Sequence, residues 1–292
     1  MNDFSPPYGE IEDISPLIRR ITAPNPAPYT FKGTGTYIVG HGEIAIIDPG
    51  PIIPSHLDAL KSSLEGETVS HILITHNHKD HSPAAKPLAN HFGCEIYGFD
   101  VGSQQHADVI AEEGIDKDFK PNQLLKDGDI INGEGWTIEA VHTPGHLSNH
   151  LCFAFAEEKA LFTGDHIMGW STTIVSPPDG NMTDYMNSLE KLIERDDEIY
   201  YPTHGTYIEK PHRFVSNILR HRLVREKTII KAVGAGLNEI PQILAKIYPM
   251  LPSKLHIAAE RTILAHLIRL VELGEVDCDG KASEKSTYSI KS

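Results

Sequence analysis

The chain has 292 residues, 40% of them hydrophobic and 23% charged, a globular balance with ample core material for one large domain, or a medium one with a small companion. Its formal charge is −14, its three cysteines stand far apart without CxxC spacing, and no stretch approaches the length of a membrane span. Neither a disulfide framework nor a cysteine-based zinc site is suggested, no membrane-spanning helix is expected, and an N-terminus without a basic region before an apolar run predicts a cytoplasmic protein.

Residues 1–30 are proline-rich, including Ala23-Pro24-Asn25-Pro26-Ala27-Pro28, and are expected to run as extended surface chain rather than as a packed element. Strands follow over 36–40 and 44–48, joined by the tight His41-Gly42 turn, and Asp48-Pro49-Gly50 ends the second. Residues 56–64 read as an amphipathic helix and 69–75 as an apolar strand. That strand feeds Thr75-His76-Asn77-His78-Lys79-Asp80-His81, in which four of the seven residues are metal ligands by type. In extended chain, residues two apart point the same way, so His76 and His78 would sit side by side over one metal. Asp80 and His81 can aim at a neighbouring point, where a second could bind. Ser82 and Pro83 then read as the cap and first position of a helix running to 92.

Residues 95–97 form a short strand, and the polar segment 102–120 reads as helix plus loop over the site mouth. A hairpin over 128–132 and 136–141 ends at His142-Thr143-Pro144-Gly145-His146. Strands at 151–156 and 160–163 pair around Glu157-Glu158-Lys159 and deliver Gly164-Asp165, and after a helix over 182–195 the strand 198–201 delivers His204. Ligand-type residues thus recur at the ends of successive strands, which suits a preorganised metal site.

The tail reads as three helices and a hairpin. The first helix, 212–231, breaks at Gly234-Ala235-Gly236; Asn238 caps a second, reaching about Tyr248. The third, 256–273, carries an apolar stripe that includes Ile263, Leu267 and Val271, and strands at 276–278 and 287–290 close the chain. Charge divides with it: residues 1–208 carry 12 Lys+Arg against 31 Asp+Glu, a balance of −19, whereas 209–292 carry 14 against 9, a balance of +5. A basic tail on an acidic body suggests an anionic partner, or attraction between the two parts.

His76-x-His78-x-Asp80-His81 resembles the signature of the metallo-β-lactamase superfamily. Thr143-Pro144-Gly145-His146, Thr163-Gly164-Asp165 and Pro202-Thr203-His204-Gly205 resemble its later motifs, in the family's order. The resemblance implies an α+β fold, an αββα sandwich over residues 1–210, and the tail, 211–292, resembles a small winged-helix domain. It implies two zinc ions per chain, with iron and manganese as open alternatives: His76, His78 and His146 on one, Asp80, His81 and His204 on the other, and Asp165 bridging. Asp80 and Asp165 would be catalytic, holding and orienting a metal-bridging hydroxide. Asp48 would support the metal loop from beneath, as metal-bound histidines require of an acceptor; a plain turn-former before Pro49 is the competing reading.

Pairing of this core with this tail, and the Ser176-Pro177-Pro178-Asp179-Gly180 loop, resemble the β-lactamase-like endoribonuclease branch, which implies a phosphodiesterase acting on single-stranded RNA. A hydrolase of small-molecule thioesters, lactones or esters is the alternative, favoured by the acidic core. A dedicated β-lactamase is disfavoured by Asp165, and a non-enzymatic nucleic-acid-binding regulator by the completeness of the ligand set. His150, His166, Trp170, Ser171 and Thr172 are expected to line the substrate pocket. Only Lys254, Lys281 and Lys285 would add charge near the wing, so the tail is expected to wall the cleft or support a homodimer, not to read a DNA sequence.

Overall fold

The computed structural model describes residues 4–100 and 114–291. Most of the segment 102–120 lies outside the described residues; its described part is irregular chain with one turn. The chain divides into two compact units, one formed by Met1–Thr143, Asn149–Thr173 and Arg195–Pro211, the other by Pro144–Ser148, Ile174–Glu194 and His212–Ser292.

In the first unit, β1 (Ile11–Asp13), β2 (Ile18–Thr22), β3 (Gly35–Val39), β4 (Glu43–Ile47), β5 (Thr68–Leu73), β6 (Glu95–Gly98) and β7 (Gln123–Leu124) form one sheet in that spatial order. It is antiparallel from β1 to β4 and parallel from β4 to β7, with α1 (Pro54–Ser63) and α2 (Ala85–Phe92) as crossovers. The second sheet holds β8 (Ile130–Gly133), β9 (Trp136–His142), β10 (Leu151–Phe155), β11 (Ala160–Gly164), β12 (Ile199–Pro202) and β13 (Ile208–Glu209), in the spatial order β13-β12-β11-β10-β9-β8. Only its β11–β12 pair is parallel.

Strand β4 shows why the sequence supports two layers. Ala45 and Ile47 face a core that includes Ile18, Tyr37, Leu73, Phe153 and Phe162 from both sheets, whereas Ile44 and Ile46 face Leu60, Leu64 and Leu88 of α1, α2 and their ends. A strand covered on both faces needs a continuous apolar run, and 44–47 supplies one. Each fully buried side chain of this kind contributes about 1.5–3 kcal/mol.

Residues 1–30 depart from expectation, since β1 and β2 belong to the sheet and every residue of β2 is buried. Arg19 and Arg20 disguise that strand. The first reaches Glu67 through two bonds of 2.7 and 2.9 Å, and the second reaches Glu12 at 3.1 Å. Buried charges survive when paired, and these partners were not adjacent in sequence. Helix α2 begins at Ala85, not at Pro83, because the Ser82 hydroxyl is spent on Asp116 Oδ2 at 2.7 Å rather than on a helix amide.

The second unit contains α3 (Met182–Ile193), capped by the Asn181 side chain, then α4 (Pro211–Gly234), α5 (Ile240–Ile247), α6 (His256–Glu272) and the antiparallel pair β14 (Val276–Cys278) and β15 (Tyr288–Ile290). Ile229, Val233, Ile243, Ile263, Leu267 and Tyr288 share its core. Asn238 does not cap α5; Glu239 holds that position without a side-chain bond.

His266 of α6 is fully buried, with Nδ1 3.3 Å from Glu226 of α4. Burial, reinforced by Arg222 and Arg225 and opposed by Glu226, pushes its pKa down to about 4 from 6.5. The unfolded chain therefore binds the extra proton in that window, so stability falls as pH falls through it. A shift of that size corresponds to roughly 3 kcal/mol. Melting of chelator-treated protein should show this loss between neutral pH and pH 4, and His266→Gln should flatten the slope. An unchanged slope in the variant would assign the acid sensitivity elsewhere.

Candidate metal centre

Histidines and aspartates from four strand ends meet in two groups. His76, His78, His146 and Asp165 form one, and Asp80, His81, Asp165 and His204 the other; within each group one ligand atom per residue lies within 4.8 Å of all the rest. Asp165 is common to both, and all seven residues are buried. β5 delivers His76, His78, Asp80 and His81, β11 delivers Asp165, and the neighbouring parallel β12 delivers His204. The parallel β11–β12 register, Leu161 opposite Tyr200 and Phe162 opposite Tyr201, carries both strands out at the same sheet end.

Gly164 allows this convergence. Its φ is +51°, and a Cβ there would lie 2.6 Å from His150 Nε2 and 2.9 Å from Thr75. No side chain fits, whatever the residue.

A buried carboxylate organises the ligands from beneath. Asp48, at φ +48°, accepts Thr75 N–H at 2.9 Å, the Thr75 hydroxyl at 2.7 Å, the Thr203 hydroxyl at 3.0 Å and His81 Nδ1 at 2.8 Å. Since the Thr75 hydroxyl donates to Asp48, it accepts from His76 Nδ1, 2.9 Å away. His146 Nδ1 donates to the Ile174 carbonyl at 2.7 Å and His204 Nδ1 to the Gly33 carbonyl at 3.1 Å. With each Nδ1 proton so committed, Nε2 of His76, His81, His146 and His204 is the nitrogen that offers a lone pair to a cation in the neutral ring.

These donors suit a cation. Both Asp80 oxygens, Asp165 Oδ1, His81 Nε2 and His204 Nε2 are buried, and among the described residues they have no polar partners outside this Asp–His cluster. Asp80 Oδ2 stands 3.1 Å from His204 Nε2, Asp165 Oδ1 3.4 Å from the same nitrogen, and Asp165 Oδ2 3.5 Å from His81 Nε2. His76 Nε2 lies 2.9 Å from His78 Nδ1, an approach of two ring nitrogens that a proton or a metal must bridge. In the protein alone, protons play that part. Burial lowers His204, but Asp165 and Asp80 outweigh it and hold its pKa up to about 10. His81 stands well above its usual value despite burial, raised by Asp80, Asp165 and Asp48. Burial raises Asp165, yet His204 and His81 hold it well below the usual carboxylate range.

The remaining expected pocket residues are spread more widely. His150 is fully buried; its Nδ1 lies 2.9 Å from the Thr143 hydroxyl, and its Nε2 accepts the Asp165 backbone N–H at 3.2 Å, so it braces that loop. His166 is also fully buried, while Ser171 and Thr172 are exposed. Trp170 stacks on Phe31, ring centroids 4.9 Å apart, and this pair borders Gly205 beside His204. Phe31 was not foreseen. It sits at φ +55° in an irregular stretch and carries no sequence motif of its own. Asn77 and Asn149, joined at 3.2 Å, and Asp116 likewise brace the metal loop without any sequence motif of their own.

The Metallo-beta-lactamase superfamily profile matches residues 29–204, and that of the Beta-lactamase associated winged helix domain matches 240–285. The chain is 35% identical over 237 residues to the lactamase-like protein notP of Aspergillus sp. (strain MF297-2), covering 78% of this chain and 67% of that protein. It is 34% identical over 231 residues to the atrochrysone carboxyl ACP thioesterase dmxR1 of Cryptosporiopsis sp. (strain 8999), covering 78% and 66%. The chain thus spans about two thirds of the length of each of these relatives. Among solved structures, a beta-lactamase domain protein from Burkholderia ambifaria matches with a TM-score of 0.81 at 18% identity, covering 99% of this chain and 96% of that one, a likeness of fold.

Proposed function

The chain belongs to the metallo-β-lactamase superfamily and is a metal-dependent hydrolase, and from that premise we propose that it cleaves acyl thioesters presented on an acyl carrier protein. One observation carries the choice of substrate: the relative dmxR1, similar over 78% of this chain, is named as an acyl carrier protein thioesterase. It favours the thioester alternative over the phosphodiester of RNA.

In this reading His76, His78 and His146 hold one divalent ion, Asp80, His81 and His204 hold another, and Asp165 serves both. With neutral imidazoles the ligands carry the charge of two carboxylates, so two divalent ions leave a net positive site that draws electron-rich groups. Bound zinc supplies Lewis acidity and makes water acidic near neutral pH. Asp80 offers two buried oxygens, Oδ2 facing His204 Nε2 and Oδ1 with no hydrogen-bond partner among the described residues, so one would ligate and the other accept a hydrogen bond from the attacking water. His150 keeps the Asp165 loop in place through its backbone N–H. Phe31 and Trp170 give an apolar shelf for an acyl group. Water adds to the acyl carbon, the carbon–sulfur bond breaks, and the products are a carboxylic acid and the carrier thiol.

Purified, zinc-loaded protein should hydrolyse an S-acyl-N-acetylcysteamine thioester faster than bis-p-nitrophenyl phosphate, single-stranded RNA, a lactone or nitrocefin. Cleavage of RNA without thioester turnover would replace this reading with the phosphodiesterase. Elemental analysis should give about two zinc ions per chain, one per ligand group. Because His81 and His204 keep protons at neutral pH until metal displaces them, loading should release protons and tighten as pH rises. Calorimetry in buffers of different ionisation enthalpy checks that sign.

A further inference from the structure

Helix α4 is 24 residues long and turns Val215, Ile218, Arg222, Glu226 and Ile229 inward. Two of its arginines are absorbed there: Arg222 lies 5.1 Å over the Tyr185 ring and Arg225 4.2 Å over Tyr248. Its one carboxylate, Glu226, is buried against His266 and Arg269. The outward side is different. Arg213, Arg220, Val224, Lys227 and Lys231 recur at helical spacing along one exposed stripe, with Leu223 beside it. Leu223 is 42% and Val224 55% exposed. The stripe therefore carries four cations, no carboxylate and an apolar centre. None of the four cations forms an ion pair among the described residues; Arg220 bonds only to Asn217 of its own helix, at 2.9 Å.

We propose that this face of α4 is the docking surface for an acidic helix of the carrier protein that presents the thioester, an inference that rests on the thioesterase reading. Charge complementarity commits the occupant. From Arg213 to Lys231 the stripe is about 27 Å long, five helical turns, so an acidic helix laid along it can meet cations at its own pitch. Such a helix also covers Leu223 and Val224 at the centre, where a buried apolar contact matters most. An RNA backbone would neutralise the cations but bury nothing against those two side chains. A second copy packed antiparallel about residue 222 would set Arg213 against Lys231, cation against cation. Residues 1–208 carry a balance of −19 and repel an acidic partner, so a local cationic face is what lets such a partner land.

The test compares wild-type protein with the R220E/K227E double variant, both full-length and zinc-loaded. Neither substituted side chain is buried, and melting curves verify the fold. The probes are an acidic acyl carrier protein bearing a butyryl-phosphopantetheine arm, the carrier-free thioester S-butyryl-N-acetylcysteamine, and single-stranded RNA. Binding of the carrier protein, read by fluorescence anisotropy, should weaken about tenfold in the variant, the sum expected from two reversed surface pairs. Added salt should weaken the wild type towards the variant's affinity. Turnover of the carrier-bound thioester should fall by a similar factor, with carrier-free turnover unchanged. Equal carrier affinity in both proteins overturns the proposal, as does loss of RNA binding alone or of self-association alone. Should neither thioester be hydrolysed, the functional reading fails while the anisotropy still decides the docking face.

Discussion

Asp165→Ala is expected to abolish hydrolysis, lowering kcat by more than about a thousandfold, or roughly 4 kcal/mol of transition-state stabilisation. Asp165 is the one residue common to both ligand groups, so its loss should loosen both ions rather than one. The fold should survive. The side chain projects from the end of β11, whose ladder bonds to β10 and β12 do not involve it. Removing a carboxylate held far below its usual pKa by two histidines also relieves those rings of their proton. Elemental analysis, circular dichroism and thioester assay together separate loss of metal from loss of fold. Near-normal turnover would show that Asp165 does not serve both ions.

Asp48→Asn should have the next largest effect, and through a residue that touches no substrate. Asp48 is fully buried and its Oδ2 receives three donors, from Thr75, Thr203 and His81. An amide can keep one acceptor oxygen but presents N–H groups where the second oxygen stood. The two hydroxyls can rotate away; His81 Nδ1 cannot, and a stranded donor there costs about 1–3 kcal/mol. Loss of such an outer partner commonly weakens metal binding about 10–100-fold. Zinc affinity by chelator competition should fall in that range, with a lowered melting temperature. Asp48→Ala should be worse on both counts. Unchanged zinc affinity in Asp48→Asn would reduce Asp48 to a turn-former before Pro49.

Much of this was legible in the sequence because metal chemistry is local. His76, His78, Asp80 and His81 fall within six residues, and the spacing itself points to a ligand loop. The strand ends bearing Asp165 and His204 could be read from apolar runs that stop abruptly. What escaped depends on distance along the chain. β2 looked like surface because Arg19 and Arg20 hide their charges on Glu67 and Glu12, one of them 48 residues away. Ser82 looked like a cap until Asp116 claimed its hydroxyl. The Phe31–Trp170 stack joins residues that share no pattern, only a place in the fold.

The parallel pairing of β11 with β12 has a bearing on metal choice. Asp165 and His204 are carried on strands already closed by backbone hydrogen bonds and by cores that contain no ligand atom. Chelation should therefore leave a folded, vacant protein, unlike a zinc finger, which unravels when stripped. A scaffold that does not wait for its ions can trade them. Which element occupies it in a living cell is then decided by abundance and exchange rates at the moment of maturation, and the same polypeptide grown on different trace elements should emerge with different ions in an identical fold.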